Sequence, residues 1–280
     1  ISYNTKKTIG KFVKYVFLLF ITVISLLPIV IVLSSSFKNE SEIFDFPFHL
    51  IPRKLIFSNF AQLSENFPLY IWNSIKLTSI ITILQLFSAS TGGYVFSKLK
   101  WKGRNFIFGL YLASMMIPSQ AVTIPQFVIM RTLNLYDTHL AIILLCTFTA
   151  FGTFLIRQYF LSIPDTYIEA ARIDGAREWI IFFKIMLPMA KPVLVTQAIL
   201  SFRFFWNDFF TPLIVALLIY ITTPELKTLP LGMTDFVREQ YVYWGPQMAA
   251  ALISIIPVLI IFMFGQRYFI EGVSSSGIKG

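Results

Sequence analysis

Residues 162–192 read SIPDTYIEAARIDGAREWIIFFKIMLPMAKP, a stretch with polar residues that lies between two strongly apolar segments. Ser162 followed three residues later by Asp165 is typical of a capping box, which opens a helix. Gly175 predicts a left-handed backbone that ends this helix. A second helix follows and is predicted to end before Pro188, because proline disrupts the helical hydrogen-bond ladder. The stretch therefore predicts a bent pair of short helices.

The segments on either side are apolar enough to cross a membrane. Of the 280 residues, 56% are hydrophobic and only 13% are charged, against about 25% charged residues in soluble domains. A membrane-spanning helix needs about 20 mostly apolar residues. Segments of suitable length lie at 12–33, 71–96, 106–127, 140–156, 193–221 and 248–264. The sequence predicts an all-α membrane protein whose residues 1–280 form a single domain with six transmembrane helices.

The distribution of Lys and Arg predicts the orientation. If the N-terminus is cytoplasmic, 15 of the 23 basic residues fall in cytoplasmic segments and six in external segments. The remaining two, Lys76 and Arg203, lie within spans. Cytoplasmic loops of membrane proteins carry an excess of Lys and Arg, so both termini are predicted to be cytoplasmic. The net charge of +9 is thus a signal of topology and does not indicate a nucleic-acid partner.

The residues of the stretch 162–192 leave two interpretations open. Ala170 and Ala171 keep one face of the first helix thin, so that this helix could lie in a groove of another protein. Glu169 and Asp174 could then form charge-assisted hydrogen bonds at the edge of the groove. The alternative is an amphipathic helix pair that lies on the membrane surface.

A resemblance to a known family distinguishes between them. The order Glu169-Ala170-Ala171, then Gly175 after three residues, then Ile185-Met186-Leu187-Pro188 after nine more, resembles the EAA signature of ABC importer permeases. Residues 172–176, which read RIDGA, are similar to the maltose-type branch that takes up carbohydrates. Trp206-Asn207-Asp208-Phe209 and the outside-loop sequence TLPLG at 228–232 also resemble that branch, and the likeness is clear over residues 71–280.

The resemblance implies a fold and a set of partners. The fold is that of a type I ABC importer permease, with a cytoplasmic coupling loop at 158–192. The loop residues expected to dock onto an ATPase are Glu169, Ala170, Ala171, Asp174, Gly175, Leu187 and Pro188. The implied partners are a second homologous permease, two ATPase subunits, an extracytoplasmic solute-binding protein, a carbohydrate substrate and membrane lipid. The location is the bacterial cytoplasmic membrane. The chain is not expected to be an enzyme by itself, since ATP and Mg²⁺ belong to the ATPase.

Four residues of the fifth predicted span are candidates for the substrate pathway: Arg203, Trp206, Asn207 and Asp208. Ionisable residues within a bilayer usually face a cavity or pair with one another. Arg203 could meet the carboxylate of an acidic sugar, or it could form an ion pair with Asp208 or with another subunit. The residues alone favour the ion pair.

Two other classes of protein fit the sequence less well. An ion-coupled secondary transporter of small solutes would need carboxylates within its spans, and only Asp208 qualifies. A membrane-embedded enzyme would need a convergent acid, base or nucleophile, and no such set is recognisable. His49, His139 and Cys146 are isolated from one another, so no metal site and no bound cofactor are predicted.

Overall fold

The computed structural model describes residues 3–63, 65–209, 211–212, 224–238 and 241–277. The chain divides into two compact units. The first unit contains Ile1–Glu65 and Met233–Ile256, and the second contains Asn66–Gly232 and Pro257–Gly280. The described residues are mostly helical, and each of the two strands among them is two residues long.

The first unit consists of one long helix and several short elements. These are α1 (Tyr3–Ser36), α2 (Glu40–Ile43), α3 (Ser58–Ala61), a 3₁₀ turn (Met233–Phe236), β1 (Val237–Arg238) and β2 (Tyr241–Val242). The strands pair in antiparallel fashion, with Val237 opposite Val242. The chain after α1 is held in place by polar contacts: Lys38 is buried and donates to the carbonyl of His49, and Asn59 donates to the carbonyls of Ser36 and Lys38.

The second unit contains the remaining helices. In chain order they are α4 (Phe67–Ser97), α5 (Arg104–Ala113), α6 (Ser119–Thr132), α7 (His139–Cys146), α8 (Ala150–Ser162), α9 (Thr166–Ile173), α10 (Glu178–Ile181), α11 (Leu187–Met189), α12 (Lys191–Trp206) and α13 (Leu229–Gly232). A 3₁₀ turn (Ser114–Met116) follows α5, a π-helical turn (Phe182–Met186) joins α10 to α11, and a 3₁₀ turn (Pro224–Leu226) precedes α13. The last helix, α14 (Trp244–Gly277), begins in the first unit and ends in the second.

Among the described residues, three helices are individually long and apolar enough to cross a membrane: Gly10–Ser36, Phe67–Ser97 and Trp244–Arg267. Three further spans exist if bent pairs are each taken as one span. The pairs are Arg104–Met116 with Ser119–Thr132, His139–Cys146 with Ala150–Ser162, and Glu178–Met189 with Lys191–Trp206, bent by 100°, 41° and 78°. In the predicted span 193–221, α12 ends at Trp206, and residues 213–221 lie outside the described residues.

The predicted span 106–127 is broken into two nearly perpendicular helices. Proline disfavours helical backbone in the residue before it, and Ile117 is extended, with φ −78° and ψ 119°. Pro118 then precedes α6 and ends the run of helix that hydropathy alone would continue. The apolar residues continue on both sides of this break, so hydropathy alone could not show the change of direction.

Helix α4 is the centre of the second unit and packs against α8 and α12. Its contact with α8 is close because Gly92 and Gly93 face that helix. A Cβ atom on Gly93 would lie only 3.0 Å from Ile156 and 3.1 Å from the backbone nitrogen of Arg157. Small residues allow membrane helices to approach in this way, where the hydrophobic effect does not drive their association.

Candidate functional site

The EAA loop, defined here as residues 162–192, bends at Gly175, where two backbone hydrogen bonds close the end of a helix. The N–H of Gly175 donates to the carbonyl of Arg172 (3.0 Å), and the N–H of Ala176 donates to the carbonyl of Ala171 (2.9 Å). This pair of bonds is the Schellman arrangement that closes the end of a helix, here α9. Gly175 has φ +76°, a left-handed conformation that favours glycine. The predicted left-handed end of the first helix is confirmed.

The predicted capping box is wrong. Ser162 belongs to the end of α8, where its hydroxyl donates to the carbonyl of Tyr159 (2.7 Å). Asp165 does occupy the position before α9, but its side chain makes no capping bond. Its carboxylate instead accepts a hydrogen bond from Lys98 (2.5 Å), which also donates to the carbonyl of Ile163. This contact holds the pKa of Asp165 below its ordinary value and attaches the start of α9 to the end of α4.

The second helical segment continues past the predicted end. A π-helical turn (Phe182–Met186) precedes Pro188, and the N–H of Leu187 donates to the carbonyl of Phe182, five residues earlier. Proline has no N–H and disturbs the regular ladder, and a π turn is one of the local irregularities that accompany such positions. Helix α11 therefore passes through Pro188 and ends at Met189.

A polar contact and an apolar core together fix the loop on the helices. The Tyr94 hydroxyl of α4 donates to Glu178 (2.6 Å), and Arg172 of α9 pairs with the same carboxylate (2.7 Å). Glu178 thus joins both halves of the loop to α4. Beneath it, a buried cluster includes Ile168, Ala171, Ile181, Phe182 and Met186 of the loop together with Ala89, Tyr94, Ile156 and Phe160 of α4 and α8. A movement of the loop would therefore be transmitted to α4 and α8.

The predicted docking residues divide between two faces of the loop. Glu169, Ala170, Asp174, Gly175 and Pro188 are exposed. Ala171 is only 8% exposed and Leu187 is half-buried, and both pack on the core cluster. This departs from the expectation that both alanines keep the docking face thin: only Ala170 faces outward, because adjacent residues on a helix point in different directions.

Sequence reasoning missed the large apolar side chains that the EAA loop exposes, which include Ile173 and Trp179. Ile173 is 86% exposed and Trp179 is 58% exposed, one on each side of the Gly175 bend. Ile173 lies beside the exposed charged side chains of Glu169 and Asp174, and a mixture of apolar and charged surface of this kind suits contact with a protein. The helical periodicity of the sequence could have shown that Ile173 is exposed. Ile173 lies on a different face of α9 from Ile168 and Ala171, which are buried.

The membrane part of the second unit has a polar centre at the break between α7 and α8. The break frees backbone carbonyls, and side chains of α4 satisfy them: Gln85 donates to the carbonyl of Cys146 (2.7 Å) and Ser88 to that of Thr147 (2.8 Å). Thr149 caps the start of α8 by accepting the N–H of Gly152 (3.1 Å). Broken helices within a membrane need partners of this kind.

A chain of hydrogen bonds continues from Gln85 into a cavity of about 380 Å³. The Ser201 hydroxyl donates to Gln85 Oε1 (2.8 Å) and accepts from Gln197 Nε2 (2.9 Å). These three side chains, together with Thr149 and the aliphatic Leu200, line part of the cavity. We call it the Gln85 cavity. Its remaining wall is formed by Arg203, Phe151, Phe204 and Phe205.

The four predicted pathway residues are not brought together. Arg203 lines the Gln85 cavity, whereas Trp206 is 1% exposed and stacks on Phe202, so it is a packing residue. The Asn207 side chain bonds back to the carbonyl of Arg203 (2.8 Å), and Asp208 accepts the N–H of Thr211 (3.0 Å). Within the described part of the chain, Arg203 and Asp208 form no ion pair. The same part of the chain contains no cluster of three His, Cys, Asp or Glu residues that could hold a metal.

Comparisons with known proteins identify the family. A family profile described as "Binding-protein-dependent transport system inner membrane component" matches residues 86–275. The arabinooligosaccharides transport system permease protein AraQ of Halalkalibacterium halodurans is 36% identical over 266 residues, covering 93% of this chain and 94% of that protein. The multiple sugar-binding transport system permease protein MsmG of Streptococcus mutans is 31% identical over 279 residues, covering 98% and 99%.

A solved structure supports the same conclusion. A chain from the crystal structure of a bacterial ABC transporter involved in the import of the acidic polysaccharide alginate superposes with a TM-score of 0.82 at 27% identity, covering 96% of this chain and 99% of that chain. Fold and sequence together define a permease of the ABC importer class. The chain belongs to the family of binding-protein-dependent transport system inner membrane components. The predicted type I fold is confirmed, and in this family the ATPase is a separate subunit.

Proposed function

We propose that this chain is the transmembrane permease subunit of an ATP-driven importer that moves a sugar or oligosaccharide across the bacterial cytoplasmic membrane. The observation that carries the proposal is the family membership, because relatives named for arabinooligosaccharide and multiple-sugar transport match along nearly the whole chain. The EAA loop and the Gln85 cavity lie in the same unit of the chain, so the proposed docking surface and a cavity that could face the substrate belong to one compact part of the subunit.

The partners that we propose follow from the same family membership. The chain pairs with a second homologous permease, binds two ATPase subunits that hold ATP and Mg²⁺, and receives its substrate from an extracytoplasmic binding protein. Both termini and the EAA loop face the cytoplasm, as the excess of Lys and Arg in those segments indicates. No nucleic acid takes part, and the chain itself binds no cofactor.

The EAA loop is the proposed contact with the ATPase. Its exposed face presents Glu169, Ala170 and Asp174 beside the apolar side chain of Ile173, a mixture of charge and apolar surface that suits a protein partner. Its inner face is fixed to α4 and α8 through Glu178 and the core cluster. A displacement of the ATPase would therefore move membrane helices together with the loop, which is how the ATP state would bias the inward and outward states of the pathway.

Cysteine cross-linking tests the proposed contact with a matched pair of variants. In a Cys146→Ser background, which removes the only native cysteine, Ala170→Cys is expected to cross-link to cysteines introduced along the ATPase groove. Ala171→Cys, one residue away but buried, is the control and is expected to remain unlinked. Equal cross-linking of both positions, or of neither, contradicts the proposed docking face.

Stimulation of ATP hydrolysis tests the substrate class. The complete complex is reconstituted with its binding protein and supplied in turn with pentose and hexose oligosaccharides, amino acids and peptides. We expect a saccharide to stimulate ATP hydrolysis and the amino acids and peptides to leave the basal rate unchanged. Stimulation by amino acids or peptides, with no response to any saccharide, would show that the chain serves a different class of importer.

A further inference from the structure

The Gln85 cavity is lined by polar groups that have no hydrogen-bond partner among the described residues. Gln197 is 2% exposed, and its Oε1 atom accepts no hydrogen bond from the described residues, although its Nε2 atom donates to Ser201. A buried acceptor without a partner costs free energy, so such groups are rare and call for an explanation. Gly152 makes room for this side chain, because a Cβ atom at that position would lie 2.7 Å from Gln197 Nε2.

The guanidinium group of Arg203 is a second polar group that lines this cavity and lacks a partner among the described residues. Its guanidinium has no hydrogen bond and no ion pair with the part of the chain that the structure describes, and its side chain is exposed to the cavity. It lies in α12, within a predicted span, where an unpaired charge is costly. The hydrogen bond to the carbonyl of Cys146 at the α7–α8 break accounts for the buried position of Gln85. No such interaction within the described part of the chain accounts for the position of Arg203.

The surroundings of the cavity favour an anionic ligand with a sugar-like shape. Thr149 and Phe151 place the start of α8 on the cavity wall, and a helix N-terminus carries a partial positive charge. Phe151, Phe204 and Phe205 add apolar faces, which suit the C–H face of a sugar ring. A volume of about 380 Å³ is within the range of small-molecule sites.

We propose that the Gln85 cavity binds a sugar unit that bears a carboxylate, with Arg203 pairing to the carboxylate and Gln197 Oε1 accepting a hydroxyl. Arginine forms two parallel hydrogen bonds with a carboxylate, and amide oxygens accept from sugar hydroxyls. The site therefore selects uronate-containing saccharides among the substrates of the importer. This inference rests on the proposed function, since it names the class of saccharide that passes through this subunit.

The test uses the complete complex with its binding protein in proteoliposomes. Uptake is measured for galacturonate, glucuronate and mannuronate oligosaccharides and for neutral oligosaccharides of the same length. The variants are Arg203→Gln, Arg203→Lys and, as a control for loss of an exposed arginine elsewhere, Arg131→Gln at the end of α6. Assembly of each complex is checked by co-elution of its subunits.

We expect the wild-type complex to import a uronate oligosaccharide and Arg203→Gln to lower that uptake about 10- to 100-fold, the usual effect of losing a charged hydrogen-bond partner. Arg203→Lys should retain part of the uptake because it keeps the charge, and Arg131→Gln should match the wild type. Gln197→Met should lower the uptake of every imported saccharide.

Three results would overturn the inference while leaving the proposed function in place. They are import of neutral saccharides only, an equal loss of neutral and acidic uptake in Arg203→Gln, and failure of Arg203→Gln to assemble with the second permease. The last would show that Arg203 pairs across the subunit interface. If no saccharide is taken up in the presence of ATP, the proposed function fails and the inference fails with it.

Discussion

Replacement of Gly175 by alanine is expected to uncouple ATP hydrolysis from transport. Gly175 has φ +76°, and apart from its own atoms and its two chain neighbours no described residue has an atom within 4 Å of the position that a Cβ would occupy. The cost of the substitution is therefore conformational, about 1–2 kcal/mol for a left-handed L-residue. That cost shifts the equilibrium between the bent loop and its alternatives by a factor of about 5–30. The bend sets the position of Glu169 and Ala170, so the population with a misplaced docking face rises by this factor relative to the correctly bent population.

The assay measures the saccharide transported per ATP hydrolysed by the reconstituted complex, together with its Tm. Gly103→Ala is a matched control, because Gly103 also has a positive φ (+85°) and open space around it but lies in the turn before α5. Both variants should lose similar stability, and only Gly175→Ala should lower the transport ratio. An unchanged ratio in Gly175→Ala, or an equal fall in Gly103→Ala, would refute the reasoning.

Three further predictions concern stability. Tyr94→Phe removes the hydrogen bond to Glu178 and should lower the free energy of unfolding by about 1 kcal/mol, measured by thermal denaturation of the solubilised complex. The hydrogen bond from Lys98 lowers the pKa of Asp165, so the ionised carboxylate should stabilise the fold at neutral pH and lose this effect as the pH falls below about 4. The difference in Tm between the wild type and Asp165→Asn should therefore vanish at low pH. A difference that stays constant with pH would contradict this prediction. Trp206→Ala should cost about 3 kcal/mol through lost packing and leave the preference among imported saccharides unchanged, whereas altered preference would restore Trp206 as a pathway residue.

The sequence predicted the helices better than their breaks. Apolar length predicted the long apolar helices, and Gly175 marked the end of α9 because glycine accepts that left-handed backbone without cost. The 100° turn at Pro118 was not predictable from hydropathy, since apolar residues continue on both sides. Ser162 matched a capping pattern but lies in the last turn of α8, because packing on α4 extends that helix further than local signals indicate.

The candidate site was only partly predictable for a similar reason. The EAA signature identified the loop, but signature spacing does not distinguish an outward residue such as Ala170 from an inward one such as Ala171. In α12, Trp206 is one of the four residues predicted for the pathway, yet its side chain packs on Phe202. The Gln85 cavity was not predicted at all, since it is formed by residues from three helices whose proximity depends on the tertiary fold.

Uptake under controlled energy supply tests the central claim most directly, namely that this chain is the permease of an ATP-driven importer. Proteoliposomes that contain the complete complex are loaded with ATP or left without it, and the binding protein and labelled saccharide are added outside. The account predicts uptake only with internal ATP and no effect of ionophores that dissipate proton and sodium gradients. Uptake that continues without ATP and stops when ionophores are added would contradict it and indicate a secondary transporter.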